Sequence, residues 1–190
     1  MDDFVAGQAF LVAAAVDGDR QAFKQLYLQN VRPIFGFLVA RTDYHLAEEL
    51  TAETFARAYA AIGRYQPSEV PFRAWLFRIA HNLVIGRARR KSSSDVPLGD
   101  ELTATARHAD PGVDEQVSLT FETERLRACM QQLSVAHAEV LDLRYLRELS
   151  VAETAAVLGA GEEAVRALTY RALKALRLLF GSEAEFVAEG

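Results

Sequence analysis

Cysteine is almost missing from this chain, as are proline and any long apolar run. One cysteine, Cys129, among 190 residues excludes an internal disulfide framework and suits a reducing compartment. Its helical spacing from Leu126, Met130 and Leu133 marks it as a buried hydrophobe. The apolar stretch near the N-terminus, AFLVAAAV, is too short to cross a bilayer, and Asp2 and Asp3 stand before it where a secretory signal carries basic residues. A cytoplasmic protein without membrane insertion is expected. Positive charge is also in deficit. The net charge of −5 argues against indiscriminate nucleic-acid binding but leaves local patches open. His45, His81, His108 and His137 are scattered without ligand spacing, so no metal, cofactor, catalytic residue or small-molecule substrate is expected.

What the chain does contain is 51% hydrophobic and 25% charged residues, rich in alanine and leucine and poor in β-forming runs. That balance predicts an all-α protein. Gly18-Asp19 ends a first apolar segment, and Asp19 is placed to cap the next helix. Pro33 inside that helix is expected to kink or split it, since it removes a donor and clashes with the preceding turn. A third helical run covers 43–62, with Glu53 and Arg57 spaced for an i,i+4 ion pair. Gly63, Pro67 and Pro71 mark a loop, and a fourth helix opens at Phe72.

From Ser92 the periodicity stops, and 92–113 reads as a flexible acidic linker. Helical pattern resumes near Asp114, with breaks near Ser134, Ser150 and Gly159 to Gly161. The expected architecture is two small helical domains, 1–91 and 114–190, joined by that tether.

In the second domain Ser150 and Glu153 form a capping-box pattern. Ala155, Gly159 and Val165 then fall at helix-turn-helix spacing: a small residue at the crossing, a turn glycine and an apolar anchor. On the second helix of that motif Arg166, Arg177, Tyr170, Lys174 and Arg171 share an arc of about 140°. Val165, Ala172, Leu173, Leu176 and Phe180 are assigned to the opposite, packed side. A cationic face with a tyrosine in it suits phosphates and base edges in a major groove; the plainer reading is a solvated charged surface.

The stretch 72–91, FRAWLFRIAHNLVIGRARRK, gathers two phenylalanines, the single tryptophan and six cations into twenty residues. Phe72, Leu76, Ile79 and Leu83 make a core stripe. Trp75, Arg78, Asn82 and Arg89 make a neighbouring one, and Arg87, Arg89, Arg90 and Lys91 give a cationic end. A ring, an amide and guanidinium groups in a row can stack on an unpaired base and bind its edge. The plainer reading packs Trp75 in the core under arginine stems.

Taken in order, AEELTAETFARAYAAI, FRAWLFRIAHNLVIGRARRK, the acidic linker and LSVAHAEVLDLRYLRELSVAETAAVLGAGEEAVRALTYRALKALR resemble an extracytoplasmic-function (ECF) sigma factor of bacterial RNA polymerase, over nearly the whole chain. The resemblance implies a promoter-specificity subunit, not an enzyme, that acts with core RNA polymerase on promoter DNA. The first domain would be region 2 and the second region 4. Glu49, Leu50 and Glu53 fall at positions that dock on the β′ clamp helices. Arg64, Trp75, Arg78, Asn82, Arg87, Arg89, Arg90 and Lys91 lie in the segment that melts and reads the −10 element. Arg166, Tyr170, Arg171, Lys174 and Arg177 lie in the helix that reads the −35 element, while region 4 also rests on the β flap. The linker would thread toward the RNA exit path, and an anti-sigma factor is an expected partner.

Some positions depart from the family pattern. The turn reads Gly159-Ala-Gly161 without the usual proline, and Glu163-Ala164 replaces Gly-Thr. Leu168 takes a basic position, Thr169 a leucine position and Ala52 a glutamine position. An unusual −35 preference is therefore expected. Glu162 and Glu163 at the start of the reading helix are expected to repel phosphate, unless they help exclude wrong DNA or engage a protein partner. Two other readings are an autonomous helix-turn-helix regulator on duplex operator DNA and a helical adaptor whose basic faces meet acidic proteins. The first leaves the Trp75 constellation without purpose.

Overall fold

The computed structural model describes the backbone of residues 2–66, 70–94 and 121–188, and the side chains of 8–66, 70–90, 126 and 128–181. Every regular element among these residues is helical, and the chain divides into two compact units. Beyond Ser94 the predicted linker lies outside the described residues, as does the predicted helical resumption between Asp114 and the first described residue after the linker, Phe121.

The first unit contains α1 (Asp2–Val16), α2 (Arg20–Val39), α3 (Tyr44–Ala61), a 3-10 turn (Ile62–Arg64) and α4 (Phe72–Ser94). Local chemistry sets their starts. The Asp19 carboxylate accepts the amides of Gln21 and Ala22 at 2.7 and 3.2 Å, and Asp43 accepts that of Leu46 at 2.9 Å. Gly18, at φ +95°, takes the turn between α1 and α2 that an L side chain resists. Helix α2 runs unbroken through Pro33, so the predicted split does not occur. Leu26, Ile34, Phe37 and Leu38 are fully buried on both sides of the proline, and their shared burial outweighs a local cost of about 3 kcal/mol.

Phe37 meets Phe77 of α4 edge to face, with ring centroids 5.3 Å apart. Around this pair Ala47, Ala58, Ala74, Leu76 and Ala80 are wholly buried, so α2, α3 and α4 close over one core. The predicted α4 core stripe holds at Phe72, Leu76 and Leu83, while Ile79 is half-buried.

The second unit holds α5 (Phe121–Gln132), α6 (Val135–Leu141), a π-helical turn (Asp142–Leu146), most of α7 (Val151–Leu158) and α8 (Glu162–Ala188). Cys129 is buried, as its spacing indicates. Ser134 caps α6 through the His137 amide. The capping box is complete: Ser150 Oγ accepts the Glu153 amide at 3.1 Å and Glu153 Oε2 accepts the Ser150 amide at 2.7 Å, an arrangement worth about 1 kcal/mol.

The turn before α7 was not foreseen from sequence. Asp142, nearly buried, pairs with Arg147 at 3.1 Å, the Leu149 amide donates to the Leu143 carbonyl at 2.9 Å, and the Arg144 guanidinium donates to the Leu149 carbonyl. These bonds hold Glu148 at φ 55°, an uncommon value for a side chain of its size. They fix where α7 begins.

Candidate nucleic-acid interfaces

The helix-turn-helix assembles as its spacing predicts. Gly159 is left-handed (φ 63°, ψ 33°), and its amide and that of Ala160 both donate to the Ala155 carbonyl. Ala155 and Val165 are buried. Helix α8 starts at Glu162 and shows two sides. Val165 and Ala172 are buried, Leu176 and Phe180 half-buried, and Arg166, Tyr170, Arg171, Lys174 and Arg177 all face solvent. Tyr170 is 70% exposed.

Leu173 corrects the expectation: it is 40% exposed rather than packed. The cause is angular, because seven residues at 100° each return it to within about 20° of Arg166. It borders the cationic face and adds an apolar edge to it.

The cations of that face differ in their surroundings. Arg171, Lys174 and Arg177 make no ion pair among the described residues. Arg166 makes two, donating through Nη2 to Glu162 at 2.7 Å and through Nη1 to Glu163.

In the first unit, the 3-10 turn and α4 present a second cationic surface. Trp75 is half-buried. Its ring lies 4.9 Å from Tyr65 and 5.8 Å from Phe72, and Tyr65 and Phe72 are themselves 5.8 Å apart. The tryptophan is thus braced from behind by two rings and keeps some of its surface in solvent. Sequence reasoning missed Tyr65; the available signal was an aromatic residue opening the loop that leads to α4.

Its hydroxyl donates to the Val70 carbonyl at 2.6 Å, tying the loop to the ring cluster. Burial pushes the Tyr65 phenol up from 10.0 to about 12. The folded state favours the neutral phenol, so its contribution to stability is whole below pH 10 and is lost as pH rises toward 12. Thermal melts across that window should show an alkaline loss that Tyr65→Phe reduces; equal losses in both proteins would refute the assignment.

Arg64, at the end of the 3-10 turn, and Arg78, Asn82, Arg87, Arg89 and Arg90, along α4, are all exposed. Lys91 belongs to α4, but its side chain lies outside the described set. Glu49 and Glu53 point outward from α3, and Glu53 pairs with Arg57 at 2.7 Å as its spacing predicts.

Leu50 departs from the docking role that the resemblance implies for it. At 4% exposure it anchors α3 in the core beneath the two carboxylates instead of offering a surface. Glu49 meets Arg87 of α4 at 3.5 Å, joining a residue expected to touch polymerase with one expected to touch DNA. Both side chains are more than half exposed, so this pair contributes under about 1 kcal/mol and separates readily.

Among the described residues no three His, Cys, Asp or Glu side chains gather as metal ligands, and no helix is long and apolar enough to cross a membrane.

The family description "Sigma-70 region 2" matches residues 26–94, and "Sigma-70, region 4" matches 129–178. The chain is 32% identical over 158 residues to the ECF RNA polymerase sigma factor SigM of Bacillus subtilis, an alignment covering 82% of this chain and 93% of SigM. It is 31% identical over 185 residues to the RNA polymerase sigma factor CnrH of Cupriavidus metallidurans, covering 92% and 95%. To the ECF sigma factor BldN of Streptomyces coelicolor it is 34% identical over 176 residues, which is 92% of this chain but 66% of BldN.

Among solved structures, CnrH in complex with the cytosolic domain of CnrY superposes with a TM-score of 0.63 at 25% identity, covering 93% of this chain and 98% of CnrH. The chain belongs to the ECF sigma factors, which are promoter-specificity subunits of RNA polymerase.

Proposed function

We propose that the two cationic surfaces divide promoter recognition between them. In this reading α8 lies in the −35 duplex through Arg166, Tyr170, Arg171, Lys174 and Arg177. Trp75, with Arg64, Arg78, Asn82, Arg87, Arg89, Arg90 and Lys91, holds separated strands of the −10 element. Glu49 and Glu53 meet the β′ clamp helices, and region 4 rests on the β flap. Residues 1–91 act as region 2, 92–113 as linker and 114–190 as region 4. The protein works in the cytoplasm and catalyses no reaction of its own.

The observation that carries the reading is that each unit sets an aromatic side chain among outward guanidinium groups: Trp75 beside Arg78 in one, Tyr170 beside Arg171 in the other. Opening DNA without nucleotide hydrolysis trades base stacking, about 1.4 kcal/mol per step, for aromatic stacking of roughly 1–3 kcal/mol per base. Core polymerase supplies the balance. CnrH was solved with the cytosolic domain of CnrY, and on that likeness we extend to this chain a restraining anti-sigma partner.

Run-off transcription with purified core enzyme over a promoter library tests the reading. Initiation is expected only when core enzyme and this protein are both present. A footprint on duplex DNA by the protein alone, with no initiation at any promoter, would establish the autonomous regulator instead.

A further inference from the structure

The end of α8 that enters DNA first carries a neutralised cation. Glu162 and Glu163 sit four and three residues before Arg166, and both of its terminal nitrogens donate to them. The three side chains sum to one negative charge at a helix N-terminus, where phosphate would otherwise be drawn by the free amides. Half of the Arg166 side chain nevertheless remains exposed.

A guanidinium has five N–H donors, and two carboxylate bonds leave others for a partner. Attraction to phosphate is independent of sequence, whereas hydrogen bonds to base edges are not. Cancelling charge at this position therefore subtracts nonspecific affinity. The same carboxylates bias the guanidinium toward one orientation, although each exposed pair alone is weak, and this lowers the entropy lost when it meets a base acceptor.

We infer that Glu162 and Glu163 are specificity-determining positioning residues: they withhold Arg166 from phosphate and aim it at a base edge of the −35 duplex. The acceptor pair that suits such a fork is guanine O6 and N7. Phosphate grip is left to Arg171, Lys174 and Arg177, one to three turns further along. This inference rests on the −35 reading of α8, and the test keeps the two separable.

Holoenzyme is assembled from core polymerase and each variant. The probes are a promoter duplex chosen by wild-type holoenzyme from a randomised −35 block and the same duplex with that block scrambled. The affinity ratio between them isolates −35 discrimination, since the −10 element is common to both.

Glu162→Gln with Glu163→Gln is expected to raise affinity for the scrambled duplex about tenfold, cut the ratio about tenfold or more, and steepen the salt dependence by about one phosphate contact. Arg166→Ala should also lower the ratio, but without steepening. Combined with the glutamine pair it should lower the ratio no further.

Glu162→Asp with Glu163→Asp keeps both charges and shortens their reach, so the ratio should fall. Retention of the wild-type ratio by the aspartate pair, or by the glutamine pair, overturns the inference while leaving the −35 reading intact. No effect of Arg166→Ala likewise overturns the inference alone, whereas a wild-type ratio near one overturns both. Thermal melts of each variant exclude unfolding as the cause.

Discussion

Alanine at Arg171, Lys174 and Arg177 together is expected to weaken holoenzyme binding to a −35-dependent promoter by about a hundredfold or more near 0.1 M salt. The three cations follow one exposed side of α8, on the far side of buried Val165 and Ala172. Each phosphate they neutralise releases condensed counterions and adds about 0.9 to the slope of log affinity against log salt. Losing all three should flatten that slope by about 2.7. Because these side chains pack against no core, the melting temperature should hardly move; exposed substitutions usually stay within about 0.5 kcal/mol. An unchanged slope would show that this side of α8 faces no phosphate. Scrambling the −35 block should then cost the triple variant nearly as much as the wild type, since its base readers remain.

Trp75→Ala should leave the closed promoter complex nearly intact and reduce open complex by about ten- to a hundredfold, read by the reactivity of unpaired thymines. The loss corresponds to removing one aromatic–base stack of roughly 1–3 kcal/mol. Bracing by Tyr65 at 4.9 Å and Phe72 at 5.8 Å orients the indole before DNA arrives, so little ordering remains to be done on binding. The substitution also leaves a gap beside those two rings, and some fall in stability accompanies it. Trp75→Phe separates the effects, because a smaller ring still stacks. It should recover most of the open complex, and Tyr65→Ala should mimic a partial loss from behind. Equal open-complex yields for Trp75→Ala and the wild type, with both proteins folded, would remove the indole from strand separation.

The pairing of Glu49 with Arg87 sets, within the first unit, a residue proposed to touch polymerase against one proposed to touch DNA. Docking on a basic partner would draw Glu49 away and leave the Arg87 guanidinium available to a strand. The geometry permits that exchange at small cost, since both groups are already more than half in solvent.

Features read correctly from the sequence are those whose partners lie within about one helical turn. Asp19 meeting the amides of residues 21 and 22, Ser150 exchanging bonds with Glu153, Glu53 pairing with Arg57 and the left-handed Gly159 all have a spacing that backbone geometry dictates. The same regularity separates buried Val165 and Ala172 from exposed Arg171 and Lys174. The misplacement of Leu173 was an error of angle on that wheel.

Glu162 and Glu163 stood at legible spacing from Arg166, yet charge alone suggested repulsion of DNA and not an orienting pair. Only the packing of helices decided the rest: that Leu50 faces inward, that α2 survives Pro33, that Tyr65 backs Trp75 and that Glu49 finds Arg87 thirty-eight residues away. The reason is physical. Caps and i,i+4 pairs follow from the rise and rotation of one helix, whereas contacts between helices depend on crossing angles and volumes that the whole core settles at once.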